Sequence, residues 1–164
     1  MLDEIHKTKR RKLPHWTFVD SIYFVTWRLA KHQRNLIVEE RDLIASALMH
    51  FDDNYYDMYC YVVMNDHVHV LFILRTNEAL PKVIHSWKSY TANRLQRKFG
   101  RKGSVWQEEY FDRVIRTEKE FYRIARYILY NPYKRWKLTD YRWAWYRSDG
   151  GHGGPPSEIN SGNS

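Results

Sequence analysis

The alternation of hydrophobic and polar residues along the chain predicts a domain that mixes strands and helices. Segments rich in β-branched and aromatic residues, which are typical of strands, occur at 22–29, 56–64, 67–74 and 110–116. Apolar residues that recur every three or four positions predict helices at 39–51, 80–99 and 118–131. This order indicates an α+β fold, with an antiparallel sheet, helices packed mainly on one face and the third strand at the centre.

Local signals indicate where two of the predicted helices begin and end. Thr117 and Glu120 form the Thr-x-x-Glu pattern of a capping box, which predicts the start of the third helix. Pro132 drives the residue before it out of helical conformation, so we expect this helix to end at Asn131. Gly100 is expected to end the second helix, because glycine readily adopts the left-handed conformation of a helix C-terminus.

Composition divides the chain into one domain with a distinct segment at each end. Residues 1–14 carry a cluster of basic side chains, which indicates a basic arm that could follow a phosphate backbone or be a solvated tail. Residues 15–147 contain the periodic pattern and are predicted to form a single domain with one core. Residues 148–164 are dominated by Gly, Pro, Ser and Asn and are predicted to be disordered.

The charge and the aromatic content add a candidate partner to this picture. The formal net charge of +8 and the pI of about 9.5 favour a polyanion, and nucleic acid is the first candidate. A generic basic protein is the alternative that charge alone leaves open. The 13 Tyr and 7 Trp residues would suit stacking on unpaired bases, although many of them must be core residues.

Cysteine content and hydropathy exclude several classes of protein. Because Cys60 is the single cysteine, the sequence excludes an intrachain disulfide framework and a Cys-rich zinc site. No apolar run is long enough to span a membrane, and the N-terminus shows no signal-peptide pattern. We therefore expect a cytoplasmic protein that is associated with the nucleoid.

The second predicted helix has a basic face that favours contact with DNA. Its candidate DNA-binding residues lie mostly off the apolar stripe and are Lys88, Arg94, Arg97 and Lys98. Arg10 and Arg11 of the basic arm are predicted to join them, and Lys88 is the first candidate for a phosphate contact. The alternative is a solvated face that only keeps the protein soluble.

Two histidines in the stretch 65–72 provide the first candidate chemistry. Residues two apart on a strand face the same side, so His67 and His69 would point together, away from the core-facing Val68 and Val70. Two imidazoles on one rigid strand make half of a metal site. The alternative is that they are ordinary polar residues on a solvated sheet face.

The third predicted helix adds a phenol and a carboxamide. Tyr127 and Asn131 are four residues apart, so they lie one turn apart on the flank of its apolar stripe. Two imidazoles and an amide oxygen could hold Mg²⁺ or Mn²⁺ and stabilise charge on a phosphodiester. Tyr127 could then attack phosphorus and form a covalent phosphotyrosine. The alternative is that Tyr127 is one more aromatic residue on a helix flank.

Three blocks of the sequence resemble the motifs of a known superfamily. Residues 63–72 resemble the HUH motif, His-hydrophobic-His, of single-tyrosine transposases. Residues 106–107 with 111–116 resemble a second signature block, and residues 125–132 resemble the block that carries the tyrosine. Over about 16–136, the chain is most similar to the REP-associated tyrosine transposases, a bacterial branch of that superfamily.

This resemblance implies a ferredoxin-like α+β fold and a metal-dependent endonuclease that cleaves single-stranded DNA near the hairpins of repetitive extragenic palindromes. It implies a 5′-phosphotyrosine link, a free 3′-OH and later rejoining to another strand. By position, His67 and His69 are metal ligands, Asn131 is the third ligand and Tyr127 is the nucleophile. Some members of the wider superfamily carry Gln where Asn131 stands. The resemblance also allows a homodimer in which the tyrosine serves either its own or the partner's histidines.

Two other functions stay open at the level of sequence. A descendant of such a transposase could bind DNA or RNA hairpins without cutting them, and a metal hydrolase could use water in place of the tyrosine. Because all four chemical residues are present, the sequence favours the enzyme that cleaves and rejoins DNA.

Overall fold

The computed structural model describes residues 21–75 and 78–148. The predicted basic arm at 1–14, which contains Arg10 and Arg11, lies outside the described residues. The predicted disordered tail beyond Ser148 lies outside them as well.

The described chain forms a five-stranded antiparallel sheet and three helices. The strands are β1 (Ile22–Arg28), β2 (Tyr56–Val63), β3 (His67–Leu74), β4 (Phe111–Val114) and β5 (Ala144–Tyr146). The helices are α1 (Val38–Met49), α2 (Leu80–Phe99) and α3 (Glu118–Trp136). None of these helices combines the length and the apolar character that a membrane span requires. The strand order β4-β1-β3-β2-β5 places β3 at the centre, so the predicted α+β fold with a central histidine strand is confirmed.

The short strand β5 is not predicted by the sequence pattern. It pairs with β2, with Trp145 opposite Tyr61, and the rings of these two residues stack with 5.6 Å between their centroids. Three residues are too few to display the alternation that identifies a strand. Backbone pairing with β2 and ring packing across the sheet, both with residues far away in the chain, therefore hold this segment.

The helices divide between the two faces of the sheet. On one face, Phe72 and Trp27 contact Trp87 of α2, with ring centroids 5.1 and 5.8 Å apart, and α1 packs beside α2. On the other face, His69 contacts Tyr127 of α3, with 5.4 Å between ring centroids. Two of the three described helices thus share a face, as predicted, and α3 is the one among them that covers the face with the histidines.

The prediction that the third helix ends at Asn131 is wrong. In the structure α3 continues through Pro132 as far as Trp136. A proline inside a helix removes one backbone hydrogen bond. Packing offsets that loss, because Pro132 is buried and Trp136 packs against Tyr141 with 5.7 Å between ring centroids. The additional turn brings Arg135 onto the same helix as the candidate nucleophile.

Two other predicted helix boundaries are confirmed. The hydroxyl of Thr117 accepts the backbone N–H of Glu120 at 3.1 Å, which starts α3. Gly100 ends α2 with a φ of 69°, in the left-handed region that glycine adopts without steric cost.

A buried ion pair joins α1 to the segment that follows α2. Glu40 is fully buried and accepts hydrogen bonds from Arg101 at 2.5 and 2.9 Å and from Arg34 at 2.7 Å. Burial by itself would raise the pKa of Glu40, but the two arginines outweigh it and the pKa lies below its usual value. The carboxylate is therefore charged at neutral pH and neutralises the buried guanidinium of Arg101.

Replacing Glu40 by glutamine should lower the free energy of unfolding by about 3–5 kcal/mol at neutral pH, because the buried guanidinium of Arg101 would lose its negative counter-charge. The folded-state pKa of Glu40 lies below its unfolded value, so this contribution is fully present above the usual glutamate range and is lost as the pH falls from that range through the lower folded-state pKa. Urea unfolding at neutral and acidic pH measures the difference, with the exposed Glu39→Gln as control. An equal loss in the control, or a difference that does not shrink in acid, would contradict the prediction.

Candidate active site

His67 and His69 lie together on the central strand, on the face that α3 covers. Their ring centroids are 4.7 Å apart, with an angle of 75° between the ring planes. In the antiparallel register with β1, His69 stands opposite Thr26 and His67 stands opposite Arg28. Only 5% of His67 and 3% of His69 is exposed, so these residues do not lie on a solvated sheet face.

Each histidine has one ring nitrogen held by a neighbouring side chain. Nδ1 of His67 lies 2.6 Å from a carboxylate oxygen of Asp66, and this nitrogen must donate because a carboxylate only accepts. Nδ1 of His69 lies 2.6 Å from the hydroxyl of Thr26. Nε2 of His69 is buried and has no hydrogen-bond partner among the described residues. A neutral imidazole whose Nδ1 donates keeps the lone pair of Nε2 free for a metal ion.

The surroundings of both rings favour their neutral form. Burial lowers the pKa of His67, against the opposing effect of Asp66. The positive charges of Arg28 and Arg135 lower it further. Burial also lowers the pKa of His69, to about 3, with smaller contributions from His67 and Arg28. Since only neutral imidazole binds a metal ion, the pair is ready for coordination at neutral pH.

Helix α3 brings Tyr127 to the histidine pair. The centroid of its ring lies 5.4 Å from that of His69 and 6.1 Å from that of Phe24. Phe24 in turn stacks on His69 at 5.6 Å. The exposed fraction of Tyr127 is 48%, so the ring is packed on one side and open to a substrate on the other.

Asn131 lies on α3 between Tyr127 and Arg135, one turn from each. Tyr127, one turn earlier, contacts His69. Arg135, one turn later, is close enough to lower the pKa of His67. Residues three or four apart on a helix lie on one side, so we expect the half-buried Asn131 to lie on the side of α3 from which Tyr127 contacts His69.

This set of donors fits a divalent cation. Nε2 of His69 is a buried polar atom without a partner in the described chain. The contact with Asp66 puts the proton of His67 on Nδ1, which leaves Nε2 of His67 with its lone pair. The amide oxygen of Asn131 would be a third donor on the facing helix. Two nitrogens and one oxygen leave coordination positions open for water or for a phosphate oxygen.

A group of three acidic side chains could also hold a metal ion, but arginines neutralise it. Carboxylate oxygens of Asp52, Asp53 and Asp57 lie within 4.8 Å of one another. Arg147 binds Asp52 at 2.6 and 2.7 Å. Arg75 lies 2.5 Å from Asp57 and 3.6 Å from Asp53. These contacts indicate a structural role for the cluster, which lies apart from the histidines.

The basic side chains of α2 lie on the other side of the sheet from Tyr127, because α2 packs on the face opposite the histidines. Three of them are exposed, namely Arg94, Arg97 and Lys98. Lys88 is half-buried, and its ammonium donates to the carbonyls of Gln107 and Glu108 at 2.8 and 2.9 Å. Burial lowers the pKa of Lys88, against the opposing charge of Glu108. The structure thus separates these residues from the histidine site, and their contact with DNA stays a prediction.

The residues that orient the imidazoles are not identified by sequence reasoning. Asp66 is interpreted there only as a turn residue, although its position directly before His67 is a usable signal. Thr26 is 43 positions away from His69 and meets it only through the register of β1 with β3. Phe24 reaches the site through the same register, which no local pattern reveals.

The fold and the site together define a class of protein, in which paired histidines on a central strand face a tyrosine on a helix. A family model described as "Transposase IS200 like" matches residues 19–131, which is more than half of the chain. The chain therefore belongs to the IS200-like transposase family. A comparison with curated proteins finds no match.

Two solved structures have a similar fold. A REP-associated tyrosine transposase bound to a REP hairpin aligns with a TM-score of 0.64 and 17% identity, over 81% of each chain. A candidate transposase from Deinococcus radiodurans R1 aligns with a TM-score of 0.52 and 21% identity, over 72% of this chain and 95% of the other. At these identities the likeness concerns the fold, and it agrees with the fold that the three sequence blocks imply.

Proposed function

We propose that this protein is a metal-dependent endonuclease and strand transferase that acts on single-stranded DNA at hairpin-forming palindromic repeats. The observation that carries the proposal is the contact between the half-exposed Tyr127 and His69, with 5.4 Å between ring centroids. This contact puts the proposed nucleophile next to the proposed metal-binding pair, and the exposed side of Tyr127 is open to a substrate. Membership of the IS200-like transposase family supports the same function.

In the proposed reaction Tyr127 is the nucleophile. Its phenol oxygen attacks the scissile phosphorus, so that the O–P bond of a 5′-phosphotyrosine forms as the P–O3′ bond breaks. The phenol gives its proton to solvent, and the departing oxygen takes up a proton to become a free 3′-OH. Attack of another 3′-OH on the phosphotyrosine reverses these bond changes and joins a new strand.

His67, His69 and Asn131 would hold the divalent cation, Mg²⁺ or Mn²⁺. When bound, the ion would draw charge from a non-bridging phosphate oxygen and so stabilise the transition state. The protein adds a positive potential of its own, since Arg28 and Arg135 lie close enough to lower the pKa of His67. Both arginines are exposed and would attract a phosphate group to the site.

The contact between Tyr127 and His69 within one chain supports a site that each protomer completes by itself. We therefore favour the cis arrangement, in which the tyrosine serves the histidines of its own chain. A homodimer would then not be required to assemble the catalytic residues.

Hairpin DNA is the proposed partner on the basis of fold and charge. One structure of similar fold is bound to a REP hairpin, and a net charge of +8 suits a polyanion. We propose that the basic residues of α2 contact the hairpin at a distance from the cleaved phosphate, and these are Lys88, Arg94, Arg97 and Lys98. The protein would act at the nucleoid, where such repeats occur.

Cleavage of an end-labelled hairpin oligonucleotide with a single-stranded flank tests the proposed function. We expect a cleavage product that depends on Mg²⁺ or Mn²⁺ and a protein–DNA adduct that survives denaturation. A shifted band that is never cut, with no adduct, would support a non-cleaving hairpin-binding protein. Full activity in EDTA would refute the dependence on metal.

Replacing Asp66 by alanine should raise the Mn²⁺ concentration that gives half of the maximal cleavage rate, by about 10- to 100-fold. The reason is that the carboxylate fixes the tautomer and the orientation of His67. Cleavage assays over a series of Mn²⁺ concentrations measure this effect. The exposed Asp140→Ala is the matched control and should behave as the wild type does. An unchanged Mn²⁺ requirement in the Asp66 variant would contradict a role in orienting a ligand.

A further inference from the structure

Phe111 is an exposed aromatic residue beside the histidine site. Its exposed fraction is 54%, the largest of any large hydrophobic side chain in the described part of the chain. It lies on β4, which is an edge strand of the sheet formed by residues 21–75 and 78–148. One exposed hydrophobic residue is ordinary by itself, and the position of this one is what gives it meaning.

The register of the sheet places Phe111 in line with His69. Phe111 pairs with Thr26 of β1, and Thr26 pairs with His69 of β3. Paired residues project from the same face of a sheet, so Phe111 lies on the face that bears the histidines. Two interstrand spacings put the Cα atoms of Phe111 and His69 roughly 10 Å apart.

Ring contacts connect Phe111 to both parts of the candidate site. The buried Phe24 meets Phe111 edge to face, with 5.8 Å between ring centroids. The same Phe24 stacks on His69 at 5.6 Å and contacts Tyr127 at 6.1 Å. Since Phe24 is fixed in the core, it holds the exposed ring of Phe111 at a set distance from the nucleophile.

We propose that Phe111 is the stacking platform for an unpaired base of the nucleotide next to the scissile phosphate. The inference rests on the proposed function, because it takes that phosphate to lie at Tyr127 and the histidines. Stacking requires a base whose face is open, so the ligand is single-stranded DNA and not a duplex. Base–aromatic stacking tolerates any sequence, so this contact positions the strand without reading it.

A cation beside Phe111 suits the same ligand. Arg113 lies two residues further along β4, on the same face, and is half exposed. Its guanidinium binds Glu120 at 2.6 Å, which holds it in place. A guanidinium has donors for more than one partner, so Arg113 can also bind a phosphate of the stacked strand.

Binding measured in a Tyr127→Phe background tests the inference, because that protein lacks the attacking oxygen and leaves the DNA intact. The probe is a hairpin oligonucleotide with a single-stranded flank. Phe111→Ala should weaken binding about fivefold or more, whereas Phe111→Trp should preserve it. Tyr55→Ala, at an exposed ring near the start of β2, is the control and should bind as the parent does. Equal binding by the Phe111→Ala variant and its parent would overturn the inference.

An abasic site moved along the flank separates stacking from a general loss of affinity. At the position that stacks on Phe111, removal of the base and of the ring together should weaken binding no more than either removal alone. Additive losses at every position would overturn the inference. Thermal unfolding of the Phe111→Ala variant and of the Tyr55→Ala control shows that both are folded.

Cleavage by the wild-type protein, assayed separately, distinguishes failure of this inference from failure of the proposed function. Suppose that the losses caused by the abasic site and by Phe111→Ala are not additive, and that the wild-type protein does not cleave DNA. That result would support base stacking on Phe111 and contradict the proposed nuclease function. Cleavage with additive losses at every position would support the nuclease function and contradict base stacking on Phe111.

Discussion

Replacing Tyr127 by phenylalanine should lower the rate of DNA cleavage at least about 1,000-fold and eliminate the covalent adduct, because the change removes the attacking oxygen. The ring itself is retained, so its packing against His69 and Phe24 can persist. Because Tyr127 is half exposed, we expect little change in thermal stability. Hairpin binding should persist as well, and a mobility-shift assay beside the cleavage assay measures both properties.

Tyr130→Phe is the matched control for this experiment. Tyr130 is an exposed tyrosine on the same helix, and its ring contacts that of Tyr133, with 5.0 Å between the ring centroids. Cleavage by this control should proceed at the wild-type rate. If Tyr127→Phe cut DNA as fast as the control does, the nucleophile would have to be water and the protein a metal hydrolase.

Replacing His69 by alanine should reduce cleavage at least about 100-fold and remove its response to added Mg²⁺ or Mn²⁺, because a donor of the metal site is lost. His67→Ala should have the same effect. Calorimetric titration with Mn²⁺ alone gives a readout that does not depend on activity, and both variants should lose binding. Undiminished Mn²⁺ binding by either variant would exclude that histidine as a ligand.

The control for the histidine variants is His85→Ala, at an exposed position of α2 on the opposite side of the sheet. It should keep both Mn²⁺ binding and cleavage. Because His69 is buried, hairpin binding by its variant is measured alongside, as a check that the domain is folded. A mixture of Tyr127→Phe with His69→Ala protein should stay inactive if the site is in cis, whereas restored cleavage would place the tyrosine in trans.

The candidate site is built on the central strand of the sheet and on the helix that packs across it. His67 and His69 begin the central strand, which has a partner strand on each side. Asp66 and Thr26 hold one nitrogen of each ring, and α3 packs across the same face. Ligands mounted on paired strands keep their geometry without a bound ion, because the backbone ladder and buried packing already fix it.

Local geometry explains which parts of this site could be predicted from the sequence. The two-residue period of a strand places His67 and His69 on one side, and the helical period places Tyr127 and Asn131 on one flank. These relations depend only on neighbouring residues, so they hold before the chain is folded. The prediction that α3 ends at Asn131 was wrong because the helix continues through Pro132, whose buried packing is not visible in the local sequence.

The basic face of α2 shows the opposite case. Its residues were correctly placed on a helix, but no local pattern states which face of the sheet that helix covers. In the structure Trp87 of α2 packs on Phe72 and Trp27 of the sheet, on the face opposite Tyr127. The positive charge of the α2 side chains therefore could not indicate how they lie relative to the histidine site.

By itself, the sequence determined the central strand with its two histidines, the helix with its tyrosine, and the family to which the three blocks point. Only the tertiary structure decided that α3 covers the histidine face, that Thr26 binds His69 and that Phe111 stands in line with both. The physical reason is that strand register and helix placement arise from contacts between residues far apart in the chain, where the burial of whole faces decides the pairing.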